Sequence, residues 1–250
     1  MINISKGKKK KPIMAAIYGV EGVGKTCLAA GLPGALIVDI EHGSTHYDVS
    51  RIDDVNTWSD LIGLIQDVVK APDELHSHGI HTIIFDSVDA IENMMLIPYV
   101  MKMNGKPGGA LADFDWGRGY ELEANEFKLF LRGCDALMQA GFNTVLIVHC
   151  QQKEVNPPEL QPYSHYELKL NKRLCALVKE RADMLLFATY DTYLIRQGNA
   201  SKARDAKRVL ICNHMAYADA KNRFGLPDKI DLDPDKLAPF FLVPDEAGKK

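Results

Sequence analysis

One stretch limits what this chain can fold into more than any other. Gly19 to Thr26 reads GVEGVGKT, between a short apolar run, Ile13 to Tyr18 (IMAAIY), and the start of a helical pattern, Thr26 to Ala30 (TCLAA). A buried strand that enters a glycine-rich turn and leaves into a helix directs backbone N–H groups at one point, and only glycine lets a bulky anion approach them closely. Gly19, Gly22 and Gly24 supply that openness, and the spacing is the G-x-x-x-x-G-K-[ST] of a phosphate cradle. Lys25 is then expected to reach the β- and γ-phosphates, and the Thr26 hydroxyl to ligate the Mg2+ that bridges them. The binding segment read from the sequence is Gly19, Val20, Glu21, Gly22, Val23, Gly24, Lys25, Thr26 and Cys27. The competing reading, a chance glycine-rich turn, does not explain the strand before and the helix after.

The chain has 250 residues, 46% hydrophobic and 25% charged, which suits one globular domain with embellishments. Its formal net charge of -3 provides no global attraction to nucleic acid, so binding of that kind has to come from local basic clusters. Five cysteines without a C-x-x-C pair argue against a zinc site or a disulfide framework. No run is long enough to span a membrane, and the basic N-terminus is not followed by an apolar signal region. These features predict a cytoplasmic protein with no membrane partner.

Three segments are expected: a lysine-rich arm at 1–11, an α/β core at 12–227 and a polar tail at 228–250. The arm is either solubilising or a contact to nucleic acid. Within the core, Ala35 to Ile40, Thr82 to Phe85, Thr144 to Val148, Met184 to Thr189 and Arg208 to Cys212 read as further strands, the last suited to an antiparallel extension with Tyr193 to Arg196. Thr57 to Ala71 and Tyr120 to Ala140 carry apolar residues at helical spacing. Asp89 to Met103 predicts a helix that Pro98 ends or kinks, and Tyr166 to Ala182 includes another. Asn104 to Gly119 and Gln151 to Pro162 read as long loops. Strands alternating with helices imply a mostly parallel central sheet with helices on both faces and ligands at the carboxyl ends of the strands. In the tail, Leu237 to Val243 is the only apolar patch, suited to docking on a neighbour or to covering its own core.

Two acids stand where such a sheet would use them. Asp86 ends an apolar strand, the place for a carboxylate near the metal, and Glu41 ends the strand after the phosphate-loop helix, where it could polarise an attacking water. Strand-end acids are also common without any such role. The segments around them resemble the RecA family: DIEHGS (Asp39 to Ser44) its acid-histidine segment, and IIFDSVDAIE (Ile83 to Glu92) its Asp-Ser strand end. KNRFG (Lys221 to Gly225) is similar to the signature of bacterial RadA-type recombination ATPases, and the order of segments is similar to core-only RecA-like proteins of phages, including single-strand annealing proteins.

The resemblance implies a RecA-like P-loop NTPase that hydrolyses ATP with Mg2+. Glu41 would be the catalytic glutamate, Asp86 the magnesium-associated aspartate, and Lys221 and Arg223 the cations that a neighbouring subunit inserts toward the γ-phosphate. It also implies a homo-oligomer, ring or filament, on single-stranded DNA, with a single-strand-binding protein as a further partner. The family's polar sensor after the fourth core strand would fall on His149 or Gln151, although a lone strand-end histidine is more often an ordinary hydrogen-bonded residue. Two mobile loops would reach DNA, the first with Lys102, Lys106, Trp116 and Arg118, the second, Gln152 to Arg173, with Lys153, Tyr163, Lys169, Lys172 and Arg173. Cations for phosphates and aromatic faces for bases suit strand binding, and also suit an ordinary surface loop. A ring helicase of the DnaB class, a nucleotide-dependent kinase and a non-hydrolysing switch are the alternatives.

Overall fold

Along the phosphate-loop strand, alternate residues enter two different cores. Met14, Ala16 and Tyr18 join one apolar cluster, whereas Ile13, Ala15 and Ile17 join another. That period-two split is what a strand covered on both faces requires. The computed structural model describes residues 6–7, 10–158, 161–197 and 200–243. Most of the 1–11 arm and the tail beyond 243 therefore lie outside the described residues.

The first half runs β1 (Met14–Gly19), α1 (Lys25–Ala30), β2 (Ala35–Asp39), β3 (Ser50–Ile52), α2 (Trp58–Lys70), α3 (Pro72–Ser77) and β4 (Thr82–Asp86). A composite helix follows: α4 (Val88–Ala90), a π-helical segment (Ile91–Leu96) and α5 (Ile97–Met103). Then come α6 (Arg118–Gln139), β5 (Asn143–Val155), β6 (Tyr163–Leu168), α7 (Lys172–Arg181), β7 (Met184–Gln197), β8 (Ala200–Ile211), β9 (Lys221–Asn222) and β10 (Lys229–Asp231). The strand order is β10-β8-β7-β1-β5-β4-β2-β3. From β7 to β3 each neighbouring pair is parallel, while β8 and β10 extend the sheet antiparallel. This is the mostly parallel α/β sheet that the alternation of elements implies.

The two faces are covered unequally. One is packed by α2, the composite helix, α6 and α7, through Trp58, Ile91, Phe127, Phe130 and Leu174 among others. Among the described residues, the other receives the short α1 and the C-terminal segment, whose Leu237 and Phe241 are buried in one cluster with Leu28 and Ala29. The apolar patch of the tail thus covers the protein's own core, and β10 adds a strand to β8. Lys229–Asp231 thus joins the sheet, and the two 3-10 turns Pro234–Lys236 and Ala238–Phe240 lie over its face.

Three local expectations differ from the structure for physical reasons. Pro98 does not end its helix; the chain stays helical to Met103. The wider π-helical turn just before it makes room for the proline ring and the missing N–H. The stretch after α5 is not an open loop: it holds two 3-10 turns, Leu111–Asp113 and Asp115–Gly117, packed so closely that a Cβ on Gly119 would lie 2.2 Å from the Leu111 carbonyl oxygen. The third difference is the largest. Gln151 to Val155 continues β5 and pairs antiparallel with β6, so the second expected loop is mostly a β-hairpin followed by the first turn of α7. Its pattern hid this, because polar residues fill both faces of the exposed ladder. Tyr18 anchors the hairpin, donating its hydroxyl to the carbonyls of Tyr166 (3.2 Å) and Asp219 (2.6 Å).

Two acids in the helical layer carry a stability consequence. Glu123 on α6 is completely buried, and neither of its oxygens meets a hydrogen-bond partner among the described residues; Glu92 of the π-helical segment, also buried, accepts from the Asn171 N–H (3.0 Å). Burial first, then the proximity of Glu92, pushes the Glu123 carboxyl up to about 8. A folded-state pKa above the unfolded value means that the native state holds the proton more tightly. Stability is therefore full at low pH and is lost as the pH rises through the folded pKa. Thermal unfolding followed from pH 5 to 8.5 is expected to show Tm falling with pH in the wild type. In Glu123→Gln the slope flattens, with a gain at the alkaline end of roughly 2–4 °C for each kcal/mol relieved.

Candidate functional site

The glycine-rich turn has the geometry its sequence demands. Gly22 (φ 72°) and Gly24 (φ 98°) occupy the left-handed region, and Gly24 is the N-cap of α1. Gly19 is needed for a different reason: a Cβ there would lie 2.0 Å from the carbonyl oxygen of Ala188 on β7. Val23 anchors the loop in the core. The Lys25 ammonium is nearly buried and donates to the carbonyls of Gly19 (3.0 Å) and Val20 (3.1 Å). Burial lowers its pKa, against the pull of the nearby carboxylates Asp86, Asp89 and Glu41. Thr26 is the second residue of the helix, with Cys27 exposed beside it.

Parallel register brings the acids to this loop. Gly19 lies level with His149 of β5, and Asp39 of β2 lies level with Asp86 of β4. Thr26 Oγ1 donates to Asp86 Oδ2 at 2.6 Å across the intervening β5. Asp86 is buried; desolvation, helped by repulsion from Glu41 and Asp39, pushes its carboxyl up to about 6 despite the Thr26 hydrogen bond. A hydroxyl and a carboxylate side by side, next to a lysine and glycine-lined N–H groups, form the oxygen-rich donor set that a hard cation on a phosphate requires. Mg2+ fits these residues.

Glu41 lies just beyond β2 on a turn held by Asp39, whose carboxylate accepts from the N–H groups of Gly43 (3.0 Å) and Ser44 (2.8 Å) and from the Ser44 hydroxyl (2.7 Å). Its carboxylate is exposed and accepts a short hydrogen bond from the Ser87 hydroxyl. His149 Nδ1 lies 2.8 Å from Asp89 Oδ2 and 3.8 Å from Glu41 Oε1, and Asp89 Oδ1 also accepts the His149 backbone N–H at 3.0 Å. The hydrogen bond to Asp89, partly opposed by burial, raises the His149 pKa. For Asp89, burial works upward, but the hydrogen bonds and charge of His149 and the Ser87 hydroxyl outweigh it, and the net shift is downward. Of the two sensor candidates, His149 therefore stands in the site. Gln151 instead donates to Glu167 across the hairpin (2.8 Å).

The structure places the remaining candidates elsewhere. Lys221 donates to the Glu180 carbonyl (3.2 Å), and Arg223 is paired with buried Asp183 (2.9 Å), whose other oxygen accepts the N–H of Met14. They sit where β1 begins, a strand length of roughly 17–20 Å from the loop at its end. In the first of the two loop regions Lys102 and Arg118 are exposed, Trp116 is fully exposed, and Lys106 caps the Phe114 ring (4.5 Å) while donating to the Asp113 carbonyl. In the second, Lys153 pairs with Glu167, Tyr163 is half-buried, and Lys169, Lys172 and Arg173 are exposed.

Sequence reasoning passed over four residues of this site. Ser87 and Asp89 were inside the quoted Asp-Ser segment, and their offset from Asp86, at the first turn of a helix after a strand, was the available signal. Tyr190 and Arg208 touch the phosphate loop from the β7–β8 ladder: the Tyr190 hydroxyl donates to the Gly22 carbonyl (3.3 Å) and the Arg208 guanidinium to that of Val23 (3.5 Å). Only the strand pairing brings them there.

A phosphate loop on a mostly parallel sheet, with an aspartate on the next core strand but one hydrogen-bonded to the loop threonine, defines a P-loop nucleotide-binding domain of α/β build. The chain belongs to the AAA-domain family, whose profile matches residues 11–224. No curated protein sequence matches it. Among solved structures, it is similar to the KaiC-like protein PH0186 from the hyperthermophilic archaeon Pyrococcus horikoshii OT3, at 12% identity over 87% of this chain and 84% of that one, with a TM-score of 0.42. It is also similar to the RadB recombinase, at 12% identity over 87% and 85%, with a TM-score of 0.41. No helix among the described residues is long and apolar enough to cross a membrane.

The His149–Asp89 pair makes a measurable prediction. In Asp89→Asn the negative charge that raises the imidazole pKa is gone, and only one acceptor oxygen is left for the two bonds that Asp89 accepts from His149, while the burial of the ring remains. An NMR titration of the His149 ring is expected to move its midpoint down, from above the ordinary histidine value toward or below it; an unchanged midpoint contradicts the pairing.

Proposed function

We propose that this protein is a magnesium-dependent ATP hydrolase of RecA-like type that works as a homo-oligomer on single-stranded DNA, in phage-type recombination or strand annealing. The observation that carries the reading is the convergence of Lys25, Thr26, Asp86, Glu41 and His149 at the carboxyl ends of adjacent parallel strands. Gly19 to Cys27 would cradle the phosphates, with Lys25 on the β- and γ-phosphates. Thr26 and Asp86 would hold Mg2+, which when bound draws off charge from the phosphate oxygens. Glu41 would orient and deprotonate the attacking water, and its bond to Ser87 keeps the carboxylate aimed past the end of β2. His149, its proton held by Asp89, would stand beside Glu41 to sense the γ-phosphate, and Gln151 would join that response through the hairpin.

Lys221 and Arg223 support a shared site. Both sit at the opposite ends of the strands from the loop, so within one subunit they cannot reach the phosphate; a neighbour stacked head to tail would bring them to it. For DNA, the exposed Trp116 offers a ring for a base, and Lys102, Lys106, Arg118, Lys153, Tyr163, Lys169, Lys172 and Arg173 supply cations and a second ring along the two connections. A single-strand-binding protein is the expected accessory partner, and the bacterial cytoplasm the expected setting.

The test is ATP turnover with and without single-stranded DNA. Stimulation by DNA is expected, with a loss of about a hundredfold or more in both Glu41→Gln and Arg223→Ala, and partial recovery when these two inactive variants are mixed. Turnover indifferent to DNA, or full activity of Arg223→Ala, contradicts the proposal.

A further inference from the structure

Tyr190 and Arg208 are a directly opposed pair in the antiparallel β7–β8 ladder, and the residues that follow them are offset by a bulge at Asp191/Thr192. Both reach out of that ladder to carbonyls of two consecutive residues of the phosphate loop, Gly22 and Val23. The guanidinium also lies against Gly24, since a Cβ built there would come within 2.7 Å of the nearer Arg208 nitrogen. Arg208 is held in turn by its own carbonyl, which accepts the N–H of Leu232 (3.0 Å), and the Leu232 side chain packs within 3.8 Å of the same point.

In a planar trans peptide the C=O and the following N–H point in opposite directions. A hydroxyl gripping the Gly22 carbonyl therefore turns the Val23 N–H away from the ladder, and a guanidinium gripping the Val23 carbonyl does the same for the Gly24 N–H. The geometry points to Tyr190 and Arg208 as positioning residues: a two-pronged clamp on the outer wall of the phosphate loop that presents the Val23 and Gly24 N–H groups to a bound polyphosphate. Gly22 and Gly24 give the loop the freedom to adopt this shape and also the freedom to leave it, with φ of 72° and 98° in a region glycine enters readily and leaves readily. The clamp removes that freedom before the ligand arrives, so less ordering is left to offset binding. Because the prongs hold carbonyls and not the ligand, they act on the part of a nucleotide that every N–H-lined loop recognises, its phosphate chain, whatever its base and whether or not the γ-phosphate is present.

This inference rests on the nucleotide-binding reading above, and the experiment separates the two. The dissociation constants of ADP and of ATP with Mg2+ are measured by calorimetry for the wild type, Arg208→Ala, Arg208→Lys and Tyr190→Phe. The Val23 and Gly24 amide signals are followed by NMR in the same proteins without nucleotide. Arg208→Ala is expected to weaken ADP and ATP by the same factor, about tenfold, with Tyr190→Phe smaller and Arg208→Lys recovering part of the loss. Both amide signals move or broaden in Arg208→Ala while signals of β1 and β4 stay in place. Unchanged affinity and unchanged amides in Arg208→Ala overturn the clamp, as does a loss confined to ATP, which would place Arg208 on the γ-phosphate itself. A wild type that binds neither nucleotide refutes the nucleotide reading instead. Should Arg208→Ala fail to fold, Tyr190→Phe, which removes one oxygen only, decides by the same criteria.

Discussion

Everything at the site depends on parallel strands ending at one level. β1 is the common partner: Gly19 is opposite His149 on one side and Ala188 on the other, and β4 and β2 end together at Asp86 and Asp39. A parallel sheet points its carboxyl ends the same way, so each strand can deliver one polar group to the rim while its body stays apolar. The close approach of Gly19 to the Ala188 carbonyl shows how tightly the rim is drawn. No side chain fits between β1 and β7 there, and the loop leaves the sheet at that point. The unequal cover of the two faces follows from the same arrangement. Among the described residues, the face behind the loop carries α1 and the C-terminal segment, which ties Leu232, Leu237 and Phe241 to the loop's surroundings.

Environment separates carboxylates that sequence makes look alike. Asp86 and Asp89 are three residues apart and equally buried, yet burial dominates the first and raises it to about 6, while the imidazole of His149 lowers the second. The Thr26 hydrogen bond and the Lys25 charge offset only part of the burial cost at Asp86, whereas Asp89 has the imidazole of His149 as a close partner. Divergent environments for neighbouring acids are a common way of giving them different duties. Glu41, more exposed and tied to Ser87, is free for a third.

How far the sequence announced this can be read residue by residue. The phosphate loop was legible because its chemistry demands fixed spacing, and β1, β2 and β4 because strands buried on both faces read as unbroken apolar runs. Thr57, where the helical spacing begins, closes a capping box with Asp60 at the start of α2. What stayed hidden depends on pairing between distant segments. The hairpin from Gln151 onward has polar residues on both faces, and only its partner, Tyr163 to Leu168, makes it a strand. Arg208 is one cation in a basic run until β8 pairs with β7 and sets it over Val23. Pro98 does not end its helix for a local reason, since a π-helical turn absorbs what an α-helix would not.

The central claim is that the loop and the Thr26–Asp86 pair form one site for a magnesium-bound nucleoside triphosphate. Its most direct test is an equilibrium titration of the wild type and of Lys25→Ala with ATP, with Mg2+ present and with Mg2+ removed by chelation. The account predicts saturable one-to-one binding that is tighter with Mg2+ and is reduced by about a hundredfold or more in Lys25→Ala, the scale expected for loss of a charged hydrogen-bonding group in a buried site. Binding that is equally strong without Mg2+ and in Lys25→Ala would contradict it.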